Sequence, residues 1–163
     1  MTNNSLSFPP KTLSQSFLIV IGGGIAGIIM GASRHILPVV FPHMKSSIEM
    51  NYQDLGILTS SYFLSYMVSS YIWGHYSDRI GGKRIVLFGS LLCGAMIIGI
   101  GFSIHFFSAL FFTIIIGIGA GGIHVPMLSN ILKWFADGKR GFAVSIFLVG
   151  EGILAILAGI TIP

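Results

Sequence analysis

Apolar residues run along this chain in five long stretches, approximately 17–41, 55–73, 85–102, 106–132 and 142–162, divided by short polar interruptions. Each is close to the ~20 residues an α-helix needs to cross a bilayer core. The pattern therefore predicts five membrane-spanning helices. Only an uncharged break, Ser103-Ile104-His105, separates the third from the fourth. The first stretch outruns the ~7–15-residue apolar segment of a signal peptide, and its leading flank is mostly uncharged, so a retained helix is predicted there.

Composition agrees with the pattern. Hydrophobic residues make up 53% of the chain and charged residues 9%, with a mean hydropathy of +0.88, whereas soluble domains carry roughly 25% charged residues. The net charge of +4 is spread over turns and not massed on one patch, which argues against nucleic acid as a partner. One cysteine, Cys93, lies inside an apolar run, so neither a disulfide framework nor a cysteine metal site is expected. His35, His43, His75 and His105 do not converge by spacing, and no cofactor is expected.

Charge also orients the chain. If the five segments alternate, Lys11, Arg79, Lys83, Arg84, Lys133, Lys139 and Arg140 fall on one side, and Lys45 alone falls on the other. By the positive-inside rule the amino terminus is cytoplasmic, in a multi-pass protein of the cell (cytoplasmic or inner) membrane. Removing the third or fourth span would send the last basic cluster outside, so the asymmetry supports the weak break as a true turn.

The first stretch offers two readings of its glycines. Gly22-x-Gly24-x-x-Gly27 follows an apolar run, and Glu49 lies near the offset of a ribose-binding acid, as in a flavin or nicotinamide dinucleotide fold. Such a fold needs an amphipathic helix after the glycines and a second strand leading to the acid. Here the sequence stays apolar and passes Pro38 and Pro42. The favoured reading is a packing ridge: Gly23, Gly27 and Gly31 recur every four residues, as do Gly117 and Gly121, and let neighbouring helices approach closely.

Ionisable groups within the spans are costly, by ~2.5–3.5 kcal/mol on insertion scales, and mark functional candidates. Arg34, His124 and Glu151 are the three. Arg34 projects from the same face as the Gly23, Gly27, Gly31 ridge and is placed to bind a carboxylate, or else to form a structural salt bridge. Glu151, on a predicted face with Val144, Leu148, Ala155 and Ala158, would carry a coupling proton or neutralise Arg34. His124 shares a face with Gly117 and Gly121, and histidine is the side chain that exchanges protons near neutral pH. Ser61, Tyr62, Ser65, Tyr66, Ser69 and Ser70 give the second segment a broad polar side suited to a wetted cavity wall, with Tyr62 and Tyr66 as substrate candidates.

Between the second and third stretches lies a short charged turn, Gly74-His75-Tyr76-Ser77-Asp78-Arg79-Ile80-Gly81-Gly82-Lys83-Arg84. Its spacing resembles the helix 2 to helix 3 signature of the major facilitator superfamily of secondary transporters, on Gly74, Asp78, Arg79, Gly81, Lys83 and Arg84. The resemblance implies that Gly74 permits close helix contact and that Asp78 and Arg79 belong to a conformational latch between two halves of a transporter. Gly82 departs from the usual basic residue, and Asp137 offers a partner for Arg79 or Lys83. Thr113 stands where the family often has an arginine, and the Gly-Pro signature of many antiporters is absent from the fifth segment. The Gly-Ile-His-Val-Pro stretch and the Lys-Trp-Phe turn look like permeases of small organic anions.

An internal echo fits this family. Gly31-Ala32 precedes Pro38 as Gly119-Ala120 precedes Pro126, at the same interval, so the first and fourth segments read as inverted repeats. The expectation is an all-α integral membrane protein: a cytoplasmic tail at 1–16, then at 17–163 helices 1 to 5 of an incomplete amino-terminal six-helix half. Its partners would be the lipid bilayer, the missing carboxy-terminal helices, and a small solute, an organic anion, moved with protons by alternating access. A membrane sensor or scaffold on the same fold and a dinucleotide-binding enzyme are the alternatives; no enzymatic activity is expected under the favoured reading.

Overall fold

The computed structural model describes residues 13–47, 50–134 and 137–161. They form five helices, α1 Leu13–Ser47, α2 Tyr52–Ile80, α3 Gly82–Gly101, α4 Phe106–Trp134 and α5 Asp137–Thr161, with no strand among the described residues. α3 and α4 are long and apolar enough on their own to cross a membrane. At ~1.5 Å per residue, the 29 residues of α4 reach about 43 Å, beyond a hydrocarbon core of ~30 Å.

Polar and apolar surfaces are arranged for lipid. Tyr71, Leu91, Ile98 and Phe107 are 66–83% exposed on the outer faces of α2, α3 and α4, while Ser33, Ser69, Ser77 and Thr113 are buried. A hydrocarbon solvent accepts such an exterior and demands that backbone groups be satisfied within each helix. α4 is the central post, packed against α2 and α3, and α1 pairs with α5. Exchanging α1 with α4 and α2 with α5 turns one of these pairs into the other, as the inverted-repeat expectation requires.

The dinucleotide alternative is overturned. Gly22, Gly24 and Gly27 lie inside the unbroken α1, so the apolar run 17–21 that leads into them is helix and not strand, and there is no turn at the glycines. The glycines serve packing instead. A Cβ on Gly27 would overlap the Phe147 carbonyl, and one on Gly31 the Glu151 carbonyl, so α1 and α5 touch backbone to backbone. Gly117 and Gly121 bring α4 equally close to Tyr62, Ser65 and Ser69 of α2.

The helices extend past the apolar stretches that predicted them. The charged turn expected at residues 74–84 is mostly helix, because α2 continues to Ile80 and α3 begins at Gly82. The turn itself is Gly81, at φ 95° and ψ 124°. Its amide donates to the Ser77 carbonyl at 3.1 Å, and its carbonyl accepts from the Arg84 amide at 3.2 Å, closing both helices on one residue. Side chains rarely adopt this backbone, so Gly81→Ala should destabilise the protein by about 1–3 kcal/mol. A thermal melt in detergent checks this, and an unchanged midpoint would show that the hairpin tolerates another geometry. At the other end α2 opens on a capping box: Asn51 Oδ1 accepts from the Gln53 and Asp54 amides at 2.8 and 3.0 Å, and Asp54 Oδ2 accepts from the Asn51 amide at 2.9 Å.

Candidate functional site

The α1–α5 contact sets the register of the first two functional groups. Gly31 lies on the Glu151 backbone, and Arg34, three residues on, reaches across to the Glu151 carboxylate in an ion pair. The side chains keep 32% and 12% of their exposure, so the pair is shielded mainly on the carboxylate side. Arg34 Nε is buried and makes no hydrogen bond, which leaves one donor beside the pair without an acceptor.

Helices α2 and α4 complete the cluster. The Arg34 guanidinium sits 5.9 Å from the centre of the Tyr66 ring, within cation–π range. The Tyr66 hydroxyl lies 3.0 Å from His124 Nδ1, and His124 leans on Phe147 of α5 with ring centres 5.8 Å apart. Tyr62 stacks on Tyr66 at 6.3 Å with ring planes 9° apart, and its hydroxyl lies 3.1 Å from Ser33 Oγ. All five predicted interior candidates thus belong to one polar cluster, joined by Ser33. Sequence reasoning passed over Ser33, whose signal was its place beside Arg34 in an apolar helix.

The structure refines two sequence expectations. The serine side of α2 is in part a packing seam, while Ser61, Ser65 and Ser69 also line a cavity of about 430 Å³ between α2 and α4. Ser69 is buried, its hydroxyl directed to the Tyr66 and Gly117 carbonyls, and Ser65 donates to the Tyr62 carbonyl. Ser65 and Ser69 are small enough to admit the glycine ridge and satisfy their hydroxyls on carbonyls of their own helix, whereas the Ser70 hydroxyl is buried without a partner. The face assigned to Glu151 is also shifted. Leu148 is 49% exposed, and the inward face carries Ala143, Phe147 and Gly150; the side chains of Ala155 and Ala158 lie outside the described residues.

The signature residues occupy the basic end of the bundle. Asp78 accepts from Lys133 of α4 at 3.1 Å, joining the α2–α3 turn to the end of α4. Both are exposed, so the pair contributes at most about 1 kcal/mol. Arg79, Lys83 and Arg84 are exposed nearby, and the side chain of Asp137, the expected partner of Arg79 or Lys83, lies outside the described residues. A Cβ on Gly74 would stand 3.4 Å from Val125, a close but ordinary contact, whereas one on Gly82 would press to 2.7 Å from the Asn130 amide. The glycine at 82 thus has a steric reason: α3 begins against Asn130. Thr113 is 1% exposed with no hydrogen-bond partner, and no cation occupies that part of α4. No group of metal ligands occurs among the described residues.

A helical bundle with an apolar exterior and an interior cation–carboxylate pair, two tyrosines and a histidine is an α-helical integral membrane protein built around a polar site. The sequence model of the Major Facilitator Superfamily matches residues 23–163. The chain belongs to that family, whose fold makes it a multi-pass membrane protein. Among similar curated proteins are the voltage-gated purine nucleotide uniporter of Homo sapiens, 26% identical over 137 residues, which are 80% of this chain and 31% of that protein. The hexuronate transporter of Bacillus subtilis is 23% identical over 136 residues, 83% of this chain and 32% of the relative. The phosphoglycerate transporter protein of Salmonella typhimurium is 28% identical over 153 residues, 89% of this chain and 32% of the relative. The chain thus spans about a third of the length of the curated relatives it matches. No solved structure matches it.

Proposed function

We propose that the protein transports a small organic anion across the membrane as a secondary transporter working by alternating access, and does so without enzymatic chemistry. The observation that carries this reading is Arg34 Nε, a buried donor with no acceptor beside the Arg34–Glu151 pair. A carboxylate or phosphate oxygen would satisfy it, and relatives named for hexuronate, phosphoglycerate and purine nucleotides are named for anions. Tyr62 and Tyr66 supply hydroxyls and a ring face to the same space, and His124 supplies a second donor. In this reading 17–163 forms helices 1 to 5 of an amino-terminal half. Residues 1–16 and the basic end face the cytoplasm by the positive-inside rule, and Gly74, Asp78, Arg79, Gly81, Lys83 and Arg84 latch against the other half.

Glu151 is the coupling group. While ionised it holds Arg34, and taking up a proton releases the guanidinium for the substrate anion, so one proton accompanies each anion. In proteoliposomes carrying the protein, an inward proton gradient should drive accumulation of D-glucuronate or 3-phosphoglycerate. Glu151→Gln should keep exchange of anion for anion but lose gradient-driven accumulation. Undiminished dependence on the gradient in that variant would assign the proton to another group.

A further inference from the structure

The glycine ridge of α4 decides which side chains of α2 it meets. Gly121 lies against Ser69 and Ser70, and Gly117 against Tyr62 and Ser65, so the two helices run close enough for Tyr66 and His124 to share a hydrogen bond of 3.0 Å. Tyr66 is braced there. Its ring stacks on Tyr62, whose hydroxyl lies 3.1 Å from Ser33 Oγ. Ser33 gives its one proton to the Met30 carbonyl at 2.7 Å, so Tyr62 donates to Ser33 and ties α2 to α1 beside Tyr66. His124 in turn leans on Phe147 of α5.

The protons of this pair can be placed. Among the described residues the Tyr66 hydroxyl has no hydrogen-bond partner except His124 Nδ1, and Nε2 of the same ring has none. A phenol carries one proton, and a neutral imidazole carries one on either nitrogen. If Nδ1 carried it, Tyr66 could only accept, and its own proton would be left without a protein acceptor in a partly buried position. With the proton on Nε2, Tyr66 donates to Nδ1 and both groups are satisfied. The unmet donor favours the Nε2–H form by roughly fivefold or more.

We propose that Tyr66 is a positioning residue of the anion site: its hydroxyl holds the neutral His124 ring as the Nε2–H tautomer, which makes Nε2 a standing donor for the substrate anion. The Arg34 guanidinium sits 5.9 Å from the centre of the same tyrosine ring, so one residue sets the place of both donors. That Nε2 serves an anion rests on the transport reading; the tautomer does not.

The test follows the ring nitrogens of isotopically labelled histidine by NMR, with the full chain in phosphatidylcholine nanodiscs at about pH 8, where an ordinary histidine is neutral. The His124 signals are assigned through His124→Asn, and His35, His43, His75 and His105 report on folding in every variant. The parent should show Nδ1 unprotonated and Nε2 protonated, with the Tyr66 hydroxyl proton correlated to Nδ1. Tyr66→Phe, which keeps the ring beside Arg34, should move the Nδ1 signal toward the protonated type as both tautomers become populated. In calorimetric titrations with 3-phosphoglycerate the same substitution should weaken the affinity by roughly fivefold, the ~1 kcal/mol net worth of one hydrogen bond. It should have no such effect in a His124→Asn background, because Tyr66 acts through the imidazole. A parent ring protonated at Nδ1, a tautomer ratio that Tyr66→Phe leaves unchanged, or equal weakening in the two backgrounds would each overturn the proposal. If 3-phosphoglycerate and D-glucuronate fail to bind while Tyr66→Phe still shifts the tautomer, the transport reading falls and the role of Tyr66 in setting the ring stands.

Discussion

Arg34→Met alone, or Glu151→Leu alone, should lower the stability of the protein in detergent by about 3 kcal/mol, the low end of the ~3–5 kcal/mol cost of leaving one buried charge unpaired. The low end applies because the Arg34 side chain keeps 32% of its exposure. Arg34→Met combined with Glu151→Leu should recover most of that loss, since apolar residues of similar volume often replace a buried ion pair without penalty. Anion transport should nevertheless remain absent in the double variant. The comparison separates two roles that one substitution would confuse. Recovery of both stability and transport would make the pair purely structural, while singles as stable as the parent would mean that water already screens it. Denaturation monitored by tryptophan fluorescence, together with uptake in proteoliposomes, reads both quantities.

Gly31→Val should be nearly as damaging. A Cβ at Gly31 meets the Glu151 backbone itself, which cannot move aside as a flexible side chain can. Overpacking costs typically ~1–3 kcal/mol, and with carbonyl and Cα atoms as the obstacle we expect about 3 kcal/mol. The separation of α1 from α5 would also draw Arg34 away from Glu151, so transport should fall with stability. Gly22 is the control, because it is exposed and an added Cβ there meets nothing within 4 Å. Gly22→Ala should be neutral or gain up to ~1 kcal/mol from the better helix propensity of alanine. Equal melting midpoints for Gly31→Val and Gly22→Ala would refute the close-approach account of the ridge.

The number and order of the helices were legible in the sequence because a helix in hydrocarbon must be apolar over a bilayer's thickness. Their ends were not. Hydropathy marks the part of a helix that lipid contacts, whereas helical hydrogen bonding continues into the polar boundary until a residue such as Gly81 leaves helical geometry. That is why seven residues of the expected turn, 74–80, belong to α2. Arg34, His124 and Glu151 announced themselves by being ionisable in apolar surroundings, and the glycine spacing identified the faces that meet. The pairing of Asp78 with Lys133 needed the end of α4 to arrive beside the α2–α3 turn, which no local spacing records. The serine stripe was legible only in part: serine fits both a cavity wall and a tight helix seam, and Ser65 and Ser69 meet facing glycines while lining a cavity with Ser61.

Cys93 is wholly buried where α3 meets α4, with its thiol directed to the Ile116 carbonyl at 3.4 Å and Gly119 against its sulfur. The chain has no other cysteine. Water-borne maleimides and spin labels therefore meet a surface without thiols, so a cysteine introduced at any exposed position becomes the sole reactive handle. The native sequence already provides the background on which distances between helices can be measured label by label.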